Sequence, residues 1–322
     1  MTSTLKKTLK TVVPIAIGVF LVLYWYYKTA PSDREQILFY IKEADIFWVS
    51  LSLLLGLLGH ISRAIRWNYL LEPLGYKPKL VNNILMIFMA YLANLGVPRT
   101  GEILRATALT TYEGVPFEKG FGTIVTERVV DLFMLLVVVL ITLSLQTDII
   151  ITFFMDRGIN LNGIFILLGL GLVSFLIFIL FVRKSSSNIA LKIKKFVLGL
   201  FDGVLSIFKM KRKWSFVFHT LFIWSCYIGM MWVIKFTVPA TAELSLSEIL
   251  VAFVFGAFAM ATTNGGVGLF PILVSKALAL FGIQEVHGDA FGWIMWIAQT
   301  LMNIVFGAIS FLLLPLLNRN KQ

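Results

Sequence analysis

Thiol, imidazole and charged side chains are scarce in this sequence, and each shortage excludes a kind of protein or site. The single cysteine, Cys226, cannot form a disulfide within the chain. The three histidines, His60, His219 and His287, lack metal-ligand spacing, so no metal site is predicted. Only 14% of the residues are charged, whereas soluble proteins carry about 25%, and this excludes a soluble globular domain.

Apolar residues dominate the composition, since 58% of the 322 residues are hydrophobic. A helix of about 20 apolar residues crosses a bilayer, and somewhat shorter runs cross where the bilayer thins. Six runs satisfy this length: 12–27, 46–62, about 122–146, 163–182, about 214–236 and 290–316. The sequence therefore predicts an all-α polytopic membrane protein with about six full spans.

The positions of the basic residues predict how the chain is oriented. There are 28 Lys and Arg against 17 Asp and Glu, and nine of the basic residues lie between 183 and 213. Such a cluster is typical of a cytoplasmic loop under the positive-inside rule, so nucleic acid is not predicted as a partner. The same rule assigns Arg63, Arg66, Lys77 and Lys79 to an inside loop. We therefore expect an inner (cytoplasmic) membrane protein with both termini in the cytoplasm.

Two further apolar regions are broken in the middle and do not fit as whole crossings. Residues 84–112 are interrupted at Gly96, Val97 and Pro98, and residues 248–282 are interrupted from Asn264 to Gly268. Their arms are short, which favours re-entrant hairpins, the first entering from the cytoplasm and the second from outside. Irregular backbone at membrane depth is tolerated only where protein or a water-filled cavity surrounds it.

The order of spans and hairpins predicts an internal symmetry within a single transmembrane domain, 1–322. Residues 12–146 and 163–316 both contain two spans, a broken hairpin and a third span. Three spans in each half invert the second half relative to the first, which is a recurring transporter design. Residues 188–209 have apolar side chains at helical spacing and lysines opposite, which predicts an amphipathic helix on the cytoplasmic surface.

Two groups of charges lie inside or beside the apolar runs. They are Arg99, Glu102 and Arg105 after the first break, and Glu127, Arg128 and Asp131 at the start of the third span. Such residues are costly unless they face a partner or a wet cavity. Their charges balance, so one interpretation is a closed ion-pair network that locks the first hairpin to the third span. The other is a gate, in which a lipid phosphate displaces a carboxylate from an arginine.

The residues of the breaks are candidates for hinge and backbone roles. Pro98 suits the first turn of a helix, so the second arm of the first hairpin is predicted to begin there, and Gly96 and Gly101 flank it. In the second break, Asn264 precedes the glycines Gly265, Gly266 and Gly268. These glycines either expose N–H groups that bind an anion or allow a tight, close-packed turn.

Two motifs resemble a known family. "VPRTGEILR" (97–105) and "GTIVTERVVD" (122–131) are similar to the R-x-G-E-x-x-R and E-R-x-x-D elements of the lysylphosphatidylglycerol synthase transmembrane-region family, the flippase-like membrane proteins. The resemblance implies lipid translocation between leaflets. The residues it carries over are Arg99, Gly101, Glu102, Arg105, Glu127, Arg128 and Asp131.

Two features depart from that family. Members that synthesise lysyl-lipid carry a large soluble aminoacyl-transfer domain after the spans, whereas this chain ends at Gln322, so we expect no synthase activity. The family often has a glutamate after the glycines of the second break. Here the chain reads Asn264 to Pro271 without an acidic residue, which weakens the prediction of a polar gate on the outer side.

The sequence favours a lipid flippase that moves a phosphate-bearing, anionic or zwitterionic headgroup through a polar cavity between the hairpins. No nucleotide-binding motif or catalytic set is found, so we predict neither an enzyme nor a bound cofactor. An ion gradient or the lipid's own gradient would drive it, with Glu102, Glu127 and Asp131 as proton carriers. The alternative is a non-transporting scaffold for envelope-lipid or glycan biosynthesis. Membrane lipids, a second copy or such an enzyme are the expected partners.

Overall fold

The computed structural model describes residues 16, 18–97, 99–147 and 210–319, and the regular structure in these ranges is helical. The prediction of an all-α polytopic membrane protein is confirmed. Four described segments are long and apolar enough to cross a bilayer: Ile46–Leu74, Phe117–Leu145, Lys213–Thr237 and Glu285–Leu317. The predicted span 163–182, the predicted surface helix 188–209 and Pro98 lie outside the described residues.

The described helices are numbered here in chain order. They are α1 (18–28), α2 (Pro31–Lys42), α3 (Ile46–Leu71), α4 (Leu80–Gly96), α5 (Thr100–Glu113), α6 (Phe117–Leu145), α7 (Lys213–Ile234), α8 (Leu246–Thr262), α9 (Leu269–Ala279) and α10 (Glu285–Leu317). The chain forms two compact units, Met1–Glu127 with Trp214–Gln322, and Arg128–Lys213. The first unit contains both hairpins, and the described part of the second is mainly the C-terminal part of α6.

Helix α3 is longer than the predicted span 46–62, because nothing in the following residues breaks it before Pro73. Asp45 caps its start by accepting a hydrogen bond from the backbone N–H of Phe47 at 2.8 Å. Arg63 and Arg66 lie in the last three turns of α3 and are buried in the interior. The assignment of these two arginines to a loop is therefore wrong.

Helices α4 and α5 form the first predicted hairpin. The amide oxygen of Asn94 accepts a hydrogen bond from the N–H of Gly101 at 2.8 Å, so a side chain of α4 caps the first turn of α5. Helix α5 begins at Thr100, two residues after the predicted start at Pro98. At the other end of the pair, Asn82 of α4 donates a hydrogen bond to Glu113 of α5. The chain therefore returns to the side from which it entered.

Helices α8 and α9 form the second predicted hairpin. Ser245 and Glu248 make a capping box that begins α8. The turn between the helices has positive φ at Gly265 (60°) and Gly268 (70°), a conformation that glycine adopts without steric penalty. A Cβ at Gly256 of α8 would lie 2.8 Å from the Phe270 ring of α9, so the two arms pack directly against each other.

Helix α10 is the axis along which both hairpins pack. The contacts along it, in order, are Gly288 with Ser275, Gly292 with Pro271, Trp296 with Gly265, Gly307 with Leu92 and Asn318 with Asn82. The open end of the second hairpin therefore lies at the start of α10 and that of the first hairpin at its end. The tips meet between these ends, where the Asn264 amide donates to the Gly96 carbonyl at 3.5 Å.

This arrangement agrees with hairpins that enter the membrane from opposite faces. At 1.5 Å per residue, the 33 residues of α10 span about 50 Å, enough to cross a hydrocarbon layer about 30 Å thick. We therefore expect the hairpin tips inside the membrane. Asn264, Gly266 and Gly268 of the second tip are buried, whereas Gly96 and Arg99 of the first tip are exposed. The inverted repeat stays a prediction, because its second half includes residues outside those described.

Candidate functional site

Three arginines converge on one carboxylate inside the first unit. Arg63 and Arg66 of α3 approach Oε1 of Glu127 through Nη1 at 2.5 Å and Nη2 at 3.2 Å. Arg105 of α5 approaches Oε2 through Nη2 at 2.9 Å. We call these four residues the arginine cluster. It joins α3, the first hairpin and the start of the third predicted span through a single acidic side chain.

The cluster is removed from solvent. The exposed fractions of Arg66 and Glu127 are 0% and 1%, and Arg63 and Arg105 are each 3% exposed. Burying charges costs several kcal/mol per ion unless ion pairs and hydrogen bonds compensate, and the pairs with Glu127 supply part of that compensation. In a medium of low dielectric the pairs are also stronger than they would be in water.

Aromatic and hydroxyl groups complete the surroundings of the guanidiniums. The Arg105 guanidinium lies 3.7 Å from the centre of the Trp67 ring, a cation–π distance. Arg63 donates to the Tyr227 hydroxyl and Arg66 to the Thr220 hydroxyl, both at 3.3 Å. The cluster thus combines charge with a flat aromatic surface, which suits a planar guanidinium better than a lysine ammonium.

The orientation of Trp67 is itself fixed by hydrogen bonds. Its indole N–H donates to the Thr123 hydroxyl at 2.9 Å, and Thr123 donates to the Gly120 carbonyl at 2.7 Å. Thr123 and Glu127 are one turn apart on α6, so the same helix face positions the ring beneath Arg105 and the carboxylate in front of it.

A line of polar side chains leads from the cluster toward the hairpin tips. The Tyr227 hydroxyl, which accepts from Arg63, lies 3.5 Å from the Tyr91 hydroxyl of α4. The Tyr91 ring is 4.4 Å from that of His60, which is buried. Asn94 and Gly96 follow Tyr91 along α4 to the tip. In the described ranges, no group of three His, Cys, Asp or Glu side chains could hold a metal ion.

The six charged residues that the sequence interpretation singled out have different environments in the structure. Arg105 and Glu127 meet in the arginine cluster. Glu102 lies half-buried near the first hairpin tip, where it accepts from the Asn94 amide at 3.4 Å, and Arg99 is exposed at the tip with φ of 61°. Arg128 is exposed and Asp131 half-buried, both within the second unit.

The break residues lie at the two tips. Gly96 and Asn264 contact each other, and a Cβ at Gly265 would lie 2.5 Å from the Leu95 side chain. Gly266 is buried and Gly268 packs against α1, where a Cβ would lie 2.8 Å from the Gly18 carbonyl. The Trp296 indole donates to the Gly265 carbonyl at 2.8 Å, so this backbone carbonyl is bound by a side chain of α10.

Sequence reasoning missed Arg63 and Arg66 as site residues. The positive-inside rule treats basic residues near a span end as loop charges and does not ask which helix face they occupy. A detectable signal was present: the two arginines are three residues apart in "ISRAIRW", so they share a face and lie next to Trp67. Ionisable residues on a continuing helix are a functional-site hypothesis by default.

A family model described as the lysylphosphatidylglycerol synthase TM region matches residues 11–307. The chain belongs to this family. The lysylphosphatidylglycerol synthase TM region therefore covers all four residues of the arginine cluster and both hairpins.

Two curated relatives of this family member differ in how much they share with it. A protein named UPF0104 membrane protein MJ1595, from Methanocaldococcus jannaschii, is 21% identical over 300 residues, covering 83% of this chain and 84% of the relative. A protein named glycosyltransferase AglD, from Haloferax volcanii, is 30% identical over 122 residues, which are 37% of this chain and 20% of AglD. No solved structure matches the chain.

Proposed function

We propose that this protein translocates a phosphate-bearing lipid between membrane leaflets, with the arginine cluster binding the headgroup. The observation that carries the proposal is the convergence of Arg63, Arg66 and Arg105 on Glu127 inside a membrane protein. A guanidinium binds phosphate and carboxylate with the same bidentate geometry. A phosphate is therefore a natural competitor for the position of the Glu127 carboxylate.

The two oxygens of Glu127 suggest how such a gate works. Oε1 is bound by the arginines of α3 and Oε2 by Arg105 of α5, so the carboxylate holds α3 and α5 together. A phosphate that enters between Arg63 and Arg105 takes over these bonds and releases Glu127. The first hairpin then loses one of its fixed links to the third predicted span while the headgroup is bound.

The hairpins provide the path on this proposal. The headgroup moves from the cluster along Tyr227, Tyr91 and Asn94 to the tips, while the hydrocarbon tails stay in the bilayer. On this proposal the partners are membrane lipids and the location is the cytoplasmic membrane. The activity is translocation rather than covalent chemistry. A gradient of the lipid or of an ion supplies the free energy.

A second function is favoured by two observations. The cluster also works as a lock, since Glu127 is 1% exposed and bridges two elements. The relative named as a glycosyltransferase aligns with 37% of this chain. A membrane scaffold that supports an enzyme of envelope-lipid or glycan synthesis, with the cluster purely structural, accounts for both.

A leaflet-translocation assay separates the two functions. Purified protein is placed in liposomes that contain one of three fluorescent lipids: phosphatidylglycerol, a polyprenyl phosphate or a phosphate-free diacylglycerol. Quenching of the fluorescence in the outer leaflet then reports how much lipid has moved between leaflets. Translocation is expected for phosphate-bearing lipids. Arg105→Ala should slow it by about tenfold to a hundredfold, because a charge-assisted hydrogen bond contributes roughly 1.5–3 kcal/mol.

Matched variants make the assay specific. Lys119→Ala removes an exposed positive charge of α6 and should leave the rate unchanged. Arg105→Lys keeps the charge but loses the fork and the Trp67 stacking, so the rate should fall between those of wild type and Arg105→Ala. If folded wild-type protein moves no lipid, with or without a pH gradient, the translocation proposal fails and the scaffold stands.

A further inference from the structure

An apolar groove runs along the outside of the first unit between α3 and α10. It has a volume of about 520 Å³ and is lined mainly by aliphatic side chains. Leu53 and Leu57 form part of one wall, and Ile297 and Leu301 part of the other. Both walls belong to segments long and apolar enough to cross the bilayer, so we expect lipid hydrocarbon beside the groove.

The groove reaches from the membrane surface toward the level of the hairpins. On α10 it extends from Ile294 to Phe306, which is about 18 Å at 1.5 Å per residue. At the other end, the Phe306 ring contacts the Phe88 ring of the first hairpin at a tilt of 30°, with ring centres 5.3 Å apart. The length and the lack of polar lining along the walls fit an extended hydrocarbon chain.

The end of the groove beside the start of α3 carries a cation. Lys42, the last residue of α2, lines this end and is exposed. Phe39 and Phe47, on either side of it in the chain, are 58% and 61% exposed, as expected for aromatic residues at a membrane–water interface. The Lys42 ammonium can pair with a lipid phosphate, and the exposed acidic residues Glu43 and Asp45 lie beside it in the chain.

We propose that this groove binds one bilayer phospholipid, with its phosphate at Lys42 and one acyl chain between α3 and α10. The argument uses the shape, lining and charge of the groove, and it holds whether or not the protein translocates lipid. The site differs from the arginine cluster, because its cation lies at the surface and its walls are apolar.

Photo-crosslinking in liposomes tests the proposal. The probes are phosphatidylglycerol with a diazirine near the end of one acyl chain and a diacylglycerol with the same chain, and labelled peptides are mapped by mass spectrometry. Phosphatidylglycerol should label segments 49–57 and 294–306 well above the exposed reference segment 311–316 of α10. Ala298→Phe, which fills the groove, should lower this labelling about tenfold, the effect of losing roughly two buried methylene groups.

Control variants separate a bound lipid from the lipid that surrounds any membrane protein. Leu312→Phe adds bulk on the exposed side of α10 and should leave groove labelling unchanged. Lys42→Gln should lower labelling by phosphatidylglycerol about threefold, as for one partly screened charge, and leave that by diacylglycerol unchanged. Lys28→Gln, which changes the exposed lysine at the end of α1, should alter neither.

Three results would overturn the proposal. Labelling of the groove that only equals that of segment 311–316, or that Ala298→Phe does not reduce, means that surrounding lipid alone is present. If the lipid does not label the groove and a photoreactive amino acid placed at Leu301 instead crosslinks to a second copy of the chain, the groove is a dimer interface. If that amino acid crosslinks to another segment of the same chain, the protein itself covers the groove.

Discussion

At the scale of single residues, Glu127 links three buried arginines, because three guanidiniums bind its two oxygens. Glu127→Gln keeps the size of the side chain but removes the charge. We expect it to lower the free energy of unfolding by about 3–5 kcal/mol, the usual effect of removing one partner from a buried ion pair. Thermal unfolding of the detergent-solubilised protein, followed by tryptophan fluorescence, measures the loss.

The matched control is Glu118→Gln. Glu118 lies on the same helix but is exposed, and surface charges contribute little, so the free energy of unfolding of this variant should stay within about 0.5 kcal/mol of wild type. Equal midpoints for the two variants would show that the arginine cluster does not hold the fold together.

Arg99 gives a prediction about backbone rather than charge. It is a non-glycine residue with φ of 61° at the first hairpin tip. Since β-branched residues are the least tolerant of this region and glycine the most, stability should fall in the order Arg99→Gly, Arg99→Asn, wild type, Arg99→Val. The total range should be about 1–3 kcal/mol, measured by the same unfolding assay. A flat series would mean that the tip adopts another backbone conformation in the membrane.

The sequence could predict part of the candidate site but not its composition. Arg105 and Glu127 follow from charges in apolar surroundings, which need a partner. The four residues of the arginine cluster meet because of how α3 packs against α5 and α6. Residue spacing along one helix carries no information about the packing between helices. The sequence interpretation of an ion-pair network between the first hairpin and the third span did not specify the pairs, and the fold brings Glu127 to Arg105.

At the scale of elements, the first hairpin depends on the close approach of α5 to α4. A Cβ at Gly101 would lie 2.2 Å from the Ala90 carbonyl oxygen, a backbone atom that cannot move aside alone. Gly101→Ala should therefore separate the two helices and destabilise the protein by about 1–3 kcal/mol, as overpacking does. Circular dichroism melting and the translocation assay together measure the change.

Gly122→Ala is the informative comparison for that substitution. Gly122 is also helical, but nothing lies within 4 Å of a Cβ built there. Alanine should stabilise α6 at this position by about 0.5–1 kcal/mol. Destabilisation by both variants to the same extent would argue against close packing at Gly101.

The breaks of both hairpins were predictable because glycine, proline and asparagine interrupt otherwise apolar runs there. The end of α3 was harder to predict, because its last turns contain arginine, tryptophan and asparagine, a composition that indicates a loop. Burial reverses that suggestion: these turns pack Arg66, Trp67 and Leu71 inside the protein. Element boundaries near membrane ends therefore need tertiary contacts as well as hydropathy.

At the scale of the whole described unit, the contacts along α10 show where each hairpin lies. The second hairpin packs along its first half and the first hairpin along its second half, so the two open ends lie at opposite ends of one long helix. In a membrane, the flanks of the first hairpin and those of the second must then face opposite compartments. This is a statement about topology that can be tested without knowing the substrate.

Cysteine labelling provides that test, because a Cys226→Ser background removes the single cysteine of the chain. Lys77→Cys and Pro116→Cys place exposed thiols before and after the first hairpin, and Glu243→Cys and Gln284→Cys do so for the second. A membrane-impermeant maleimide added to inverted membrane vesicles should modify the first pair, since the positive-inside rule puts that side in the cytoplasm. Right-side-out vesicles should show modification of the second pair only. If all four thiols react in the same vesicle orientation, both hairpins enter from one face, and a path through their meeting tips would not connect the two leaflets.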